Sequence, residues 1–213
     1  MLELKELHYH PATSEHPVLQ GVNLQAKRGS PVIIEGASGC GKTSLIEVIS
    51  GLTTPNKGSI CWEQKTLSSR ERRWLSGVVF QFPERYFLGL SVAQELRLGH
   101  RRLSGDKQKR ALSRVGLSNI DLRQAPEKLS GGQQRRLALA VQLLRNPFVL
   151  LLDEPTAGLD WSVRKEILLL LAKLAKDQVL IVVTHEPELF KDFFSSSFHL
   201  HDGRLYPINH LSD

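Results

Sequence analysis

The chain has 213 residues, 41% of them hydrophobic and 23% charged, a balance that supports a sizeable buried core and excludes wholesale disorder. Its longest apolar stretches, 167–172 and 179–183, fall far short of the roughly 18–20 residues of a membrane span, and the run Met1-Leu2-Glu3-Leu4-Lys5-Glu6-Leu7 has no uninterrupted apolar core of the kind a secretory signal needs. Two cysteines, Cys40 and Cys61, make neither a disulfide framework nor a four-ligand zinc site, so a reducing, cytoplasmic compartment is expected.

Lysine and arginine number 28 against 22 aspartates and glutamates, a net charge of +6, which points to a partner carrying negative charge. The basic residues gather at Arg70, Arg72 and Arg73 and again from Arg97 to Arg114, and both groups read first as solvated helical surface. No aromatic residue lies between His100 and Arg114, so no stacking platform for a nucleic acid is expected there.

In chain order, alternation at Leu2–Leu4 and from Val18 to Leu24 predicts strands on either side of a turn region marked by Pro11 and Pro17. Val32-Ile33-Ile34 predicts a strand buried on both faces, followed by a glycine-rich turn and a helix over about 42–50. Short strands are expected at 58–63 and 77–81, then a polar helical stretch over 91–116 broken near Gly105. A helix at 137–144, a buried strand at 148–152, a helix with Val163, Ile167, Leu170, Leu171 and Leu174 on one face, and a third buried strand at 179–183 complete the pattern. Buried strands alternating with helices predict an α/β fold with a mainly parallel sheet, the helical middle segment forming an inserted lobe.

Three motifs carry chemistry. Gly36-Ala37-Ser38-Gly39-Cys40-Gly41-Lys42-Thr43, followed by Ser44, lies between a buried strand and a helix, where a phosphate-binding loop belongs. Its glycines let backbone N–H groups turn toward phosphate oxygens, the helix N-terminus adds positive potential, Lys42 reaches the terminal phosphates, and the Thr43 hydroxyl suits Mg²⁺. Asp153 and Glu154 end a buried strand, at the sheet edge where open α/β sheets bind ligands. Asp153 suits Mg²⁺, and Glu154, expected to point the other way along the strand, suits orienting or deprotonating a water. In Leu129-Ser130-Gly131-Gly132-Gln133, Ser130 predicts an N-cap, and the paired glycines weaken a helix start with no evident gain in stability, as if to let a phosphate approach.

Together these residues resemble the nucleotide-binding subunit of ATP-binding cassette (ABC) proteins. Gln81 after a strand resembles the Q-loop, Gly158-Leu159-Asp160 the D-loop and His185 the switch histidine, all in the family's order, and the resemblance spans about residues 1–206. It implies a P-loop NTPase core of RecA-like type with a small antiparallel β subdomain and a helical subdomain over about 84–146, the whole chain forming one ABC ATPase domain. It also implies ATP and Mg²⁺, the metal held by Thr43, Gln81 and Asp153. Glu154, His185, Lys42 and Gln81 would be catalytic, with Ser130, Gly131, Gly132 and Gln133 meeting the ATP of a second cassette subunit in a homo- or heterodimer. The family usually stacks an aromatic ring on adenine after the first strand, and here Tyr9 and His10 both offer a π-face. Trp161 stands where the family often has proline, a packing residue expected near the dimer seam. His199 and His201 have a spacing that suits a metal, although an exposed strand accounts for them more simply.

The resemblance implies an ATPase that powers a separate membrane permease from the inner face of the cell membrane. Gln81-Phe82-Pro83-Glu84 with Arg85-Tyr86-Phe87, and Gln134-Arg135-Arg136-Leu137-Ala138 after the signature, resemble importers of energy-coupling-factor and cobalt/nickel type. The alternative is a soluble ABC ATPase acting on ribosomes or DNA, but the span between Thr43 and Ser130 has room for the helical lobe and not for a long coiled coil.

Overall fold

The computed structural model describes residues 1–191, 193 and 196–208. The chain opens with an antiparallel pair, β1 (Leu2–Tyr9) and β2 (Leu19–Ala26), and then enters the buried strand β3 (Val32–Glu35) and helix α1 (Lys42–Ser50). Strands β4 (Lys57–Trp62) and β5 (Lys65–Thr66), helix α2 (Ser69–Leu75) and strand β6 (Ser76–Val79) follow. The middle segment holds α3 (Val92–Arg97), α4 (Gly105–Arg114) and α5 (Gly131–Leu144), after which come β7 (Val149–Asp153), α6 (Trp161–Leu174), β8 (Val179–Thr184), β9 (Ser196–His201) and β10 (Arg204–Ile208).

Among the described residues the strands form two sheets. One is four-stranded in the order β2-β1-β4-β5, with antiparallel pairing throughout. The other is six-stranded in the order β10-β9-β3-β8-β7-β6, parallel except for the β9–β10 pair at its edge. The expected α/β class and the antiparallel subdomain sheet are both present. The central strands are continuous runs of valine, isoleucine and leucine because both of their faces are covered. Leu150, Leu152, Leu180 and Val182 point into a core shared with α4, α5 and α6, and Val149, Leu151, Val179, Ile181 and Val183 point into one shared with α1 and the antiparallel sheet.

Several local expectations need correction. Gly105 begins α4 behind the N-cap Ser104, and the break between the helices lies at 98–104. The 77–81 strand ends at Val79. The sequence pattern missed α2, whose start is fixed by a capping box between Ser68 and Glu71. Glu71 also pairs with Lys65, and these hydrogen bonds hold its carboxyl down at about 2. Arg72 on α2 is not solvated surface. It is buried, donating to the Thr53 carbonyl and the Ser69 hydroxyl, whereas the seven basic residues between Arg97 and Arg114 are exposed as expected. His199 and His201 lie on β9, which pairs with β10 at the sheet edge, His199 half-buried beside Glu35 and His201 exposed beside Asp202, in keeping with an exposed strand. Among the described residues no group of three or more His, Cys, Asp or Glu side chains could hold a metal ion, and no helix is long and apolar enough to cross a membrane.

Candidate functional site

Strands β3, β7 and β8 end side by side, and the loops that leave them surround a cavity of about 440 Å³. After β3 the chain curls through residues 36–41 into α1. Gly36 has no room for a side chain, because a Cβ there would lie 2.6 Å from both Cys40 Sγ and the Leu200 carbonyl oxygen. Gly41, the N-cap of α1, has φ 106°, a left-handed conformation that glycine adopts without strain. No side chain caps α1 and no acid occupies its first turn, so its leading N–H groups and the positive end of its dipole face the cavity unopposed. Such an end is a ready anion site.

Lys42 is buried, and its ammonium donates to the carbonyls of Gly36 at 2.6 Å and Ala37 at 2.9 Å, which braces the loop from within. Thr43 Oγ1 donates to Asp153 Oδ2 at 2.7 Å. Burial pushes the Asp153 carboxyl above its ordinary range against the opposing pull of the Thr43 hydrogen bond, with Glu154 adding to the rise and Lys42 reducing it. Glu47, one turn along α1, is also raised, first by burial and then by the charge of Asp153.

Glu154 does not continue the strand alternation. It sits beyond the end of β7 with φ 49°, and this left-handed turn brings its side chain to the same cavity as Asp153. Its N–H donates to the Val183 carbonyl at 2.9 Å. One carboxylate oxygen accepts from the Thr184 hydroxyl at 3.0 Å, and the other lies 2.8 Å from His185 Nδ1. Ser38, Gly39, Ser44, Gln81 and Val18 complete the wall around Gly41, Lys42, Thr43, Asp153, Glu154 and His185. Thr43, Asp153 and Gln81 thus offer a hydroxyl, a carboxylate and an amide, a hard-donor set suited to Mg²⁺.

Tyr9 and His10 do not line this cavity. Tyr9 is half-buried against the core and His10 Nε2 lies 2.8 Å from the Ser14 carbonyl; from that side of the molecule only Val18 reaches the wall. The Ser130–Gln133 segment is also absent from it. Ser130 caps α5, its hydroxyl accepting from the Gln133 N–H while the Gln133 side chain accepts from the Ser130 N–H. Gly132 does have a reason within the chain, contrary to the expectation: a Cβ there would meet Val163 Cγ1 of α6 at 2.4 Å. Gly131 and Ser130 are exposed. Trp161 is 73% exposed at the start of α6 and packs little within this chain.

The reading of the sequence assigned no place in the site to two arginines that hold its backbone. Arg135 on α5 is 5% exposed and donates to the carbonyls of Glu154 and Ala157. Arg164 on α6 donates to the Leu159 carbonyl at 2.7 Å and pairs with Glu186 at 3.0 Å. The available signal for Arg135 was helical spacing, since it shares the buried face of α5 with Gly132, Leu139 and Leu143.

With the geometry in place, the comparisons with known proteins converge. The family model described as "ABC transporter" matches residues 19–157. The chain belongs to the ABC transporter family. An Arabidopsis thaliana protein, ABC transporter I family member 11, chloroplastic, is 37% identical over 221 residues, covering 95% of this chain and 78% of the relative. The energy-coupling factor transporter ATP-binding protein EcfA2 of Streptococcus sanguinis is 34% identical, covering 90% and 74%. CbiO1 of Clostridium perfringens, solved as part of the ABC transporter complex cbiONQ, superposes with a TM-score of 0.85 at 32% identity, covering 96% of this ABC ATPase and 86% of that chain. A cassette solved as a dimer in a post-hydrolysis state with ADP and Pi also gives 0.85, at 28% identity and full coverage of both chains.

Proposed function

We propose that this ABC ATPase binds and hydrolyses Mg-ATP at the cavity between α1 and the ends of β7 and β8, and powers a separate permease of the energy-coupling-factor importer type. The observation that carries the reading is the convergence on one cavity of an uncapped helix N-terminus, Lys42, the Thr43–Asp153 pair and the Glu154–His185 pair. Backbone N–H groups of residues 38–41 and Lys42 would hold the phosphates, with Lys42 exchanging its two loop carbonyls for phosphate oxygens. Thr43, Asp153 and Gln81 would hold Mg²⁺, whose chemistry is to neutralise charge on the terminal phosphates. Glu154, kept in place by Thr184 and His185, would orient the attacking water and take its proton, and His185 would contact the γ-phosphate. Either Tyr9 or His10 would stack on an adenine that extends out of the cavity past Val18, whose N–H donates to the Tyr9 carbonyl at 2.8 Å.

Ser130 to Gln133 lie outside this cavity, which supports their acting on the ATP of a second cassette. The relatives named for energy-coupling factors and cbiONQ support import, and the surface near Gln81 supports docking of a permease helix. There Phe82 is 39%, Tyr86 59% and Leu88 80% exposed, while Phe87 packs inward. On this reading the whole chain, 1–213, is one cassette at the cytoplasmic face of a membrane.

The test is Glu154→Gln. The amide keeps the shape of the side chain and removes the base, so hydrolysis should fall by roughly 10²–10⁴-fold, and ATP without Mg²⁺ should drive the variant into a dimer by light scattering. A variant that hydrolyses ATP at the wild-type rate would remove Glu154 as the base. One that stays monomeric with ATP would show that this cassette pairs with a different one.

A further inference from the structure

We propose that Arg135 is a positioning residue for hydrolysis, one that clamps the turn carrying Glu154 and ties it to the helix that carries Ser130–Gln133. The idea rests on the reading of Glu154 as the base. Glu154 is a non-glycine residue at φ 49°, a conformation that costs free energy and persists only where its surroundings over-determine it. The turn has a hydrogen bond of its own, from the Ala157 N–H to the Glu154 carbonyl at 3.2 Å. Arg135 closes both ends of it from outside, Nη1 donating to the Glu154 carbonyl at 2.7 Å and Nη2 to the Ala157 carbonyl at 2.6 Å.

A planar, always charged fork is suited to spanning two acceptors at fixed separation. The group is nevertheless expensive to place here. Burial works against its positive charge, and the carboxylates of Glu84 and Glu154 provide the compensation. A helix that needed only an apolar contact at this position would be served by leucine, as at Leu139 one turn further on. The Gly132–Val163 and Gly131–Leu159 approaches fit the start of α5 closely against the segment 159–163, so Arg135 and the two glycines together join α5 to the whole 154–163 stretch. A displacement at the exposed start of α5 therefore reaches the backbone of Glu154 through one side chain.

Arg135→Gln and Arg135→Lys test this. Wild-type turnover is measured first, so that the variants are compared with an active parent and a failure of the ATPase reading is seen separately. In Arg135→Gln, kcat should drop roughly 10- to 100-fold, the scale of a misplacement of about 1 Å. KM and the affinity for a fluorescent ATP analogue should stay within about three-fold, because the phosphate loop is untouched. Arg135→Lys, which keeps the charge but not the fork, should recover part of the lost kcat and stay below wild type. Wild-type kcat in Arg135→Gln, or equal losses in binding and turnover, would overturn the proposal, as would a lysine variant no better than the glutamine one. If Arg135→Gln does not fold, Arg135→Lys decides alone: a lower kcat at constant KM supports the clamp, and an unchanged kcat overturns it.

Discussion

The two glycine-marked helix starts of this molecule look alike in sequence and differ in what surrounds them. At α1 no side chain occupies the N-terminus, the lysine of the first turn is folded onto the loop, and a cavity with two carboxylates and a histidine lies directly ahead. At α5 the N-terminus is capped by Ser130 and Gln133 and lies outside that cavity, with Ser130 and Gly131 exposed. The first end has a complete set of groups for phosphate chemistry within one chain. The second end is pinned from behind, by Val163 and Arg135, and presents its front to whatever approaches. On the proposed reading, assembly with a second cassette is the step that would bring the two ends onto one nucleotide.

The largest effect should come from emptying the first end. Lys42→Ala removes the charge that the proposal sets against the terminal phosphates and the two bonds that brace the loop, so steady-state phosphate release should fall by ~100-fold or more. Retained turnover would refute the assignment of that end. A smaller effect separates the two ends by stability. Gly132→Ala forces a methyl group into Val163 and should cost about 1–3 kcal/mol in denaturant unfolding, with nucleotide affinity at the α1 end little changed. An unaltered unfolding midpoint would mean that the α5 start is held less firmly than the geometry states.

The smallest effect tests the charge at the first end. Burial raises the Asp153 carboxyl, so the folded protein holds that proton more tightly than the unfolded chain, and stability contributed there is lost as pH rises above the ordinary carboxylate value of 3.8. Asp153→Asn should therefore raise the Tm of the protein without nucleotide or Mg²⁺, by an amount that grows from pH 4 to pH 7. The same variant should gain less Tm than wild type on adding Mg-ATP. A variant less stable than wild type at pH 7 would show that the Thr43 hydrogen bond outweighs desolvation.

Buried strands and the helices between them were legible because Val32–Ile34, 148–152 and 179–183 are apolar runs, and the chemistry was legible because its motifs are local in sequence. What depends on distant pairing was not. The left-handed Glu154, the buried role of Arg72 and the clamp of Arg135 all follow from neighbours 19 or more positions away, and arginine looks the same in sequence whether it faces water or two carbonyls. Gly132 shows the reverse error, a glycine read for ligand access that is also needed by a valine 31 positions on. The short strands β5 and β10 lacked any alternation long enough to stand out from turns.

The alternation of β7 and β8 between two cores has a consequence for how the molecule opens. Residues one apart in these strands belong to different hydrophobic clusters, so neither face can loosen without exposing side chains that the other face holds. Backbone amides there should exchange with solvent only when most of the fold comes apart, whereas Ala37, Ser38 and Gly39, exposed at the tip of the loop, can exchange through local excursions. Asp153 thus ends, and Glu154 and His185 follow directly on, strands expected to be among the last to open, whereas the tip of the 36–41 loop is exposed. On the proposed reading, nucleotide would come and go on the time scale of a loop while Glu154 and His185, which position the attacking water and the terminal phosphate, keep station.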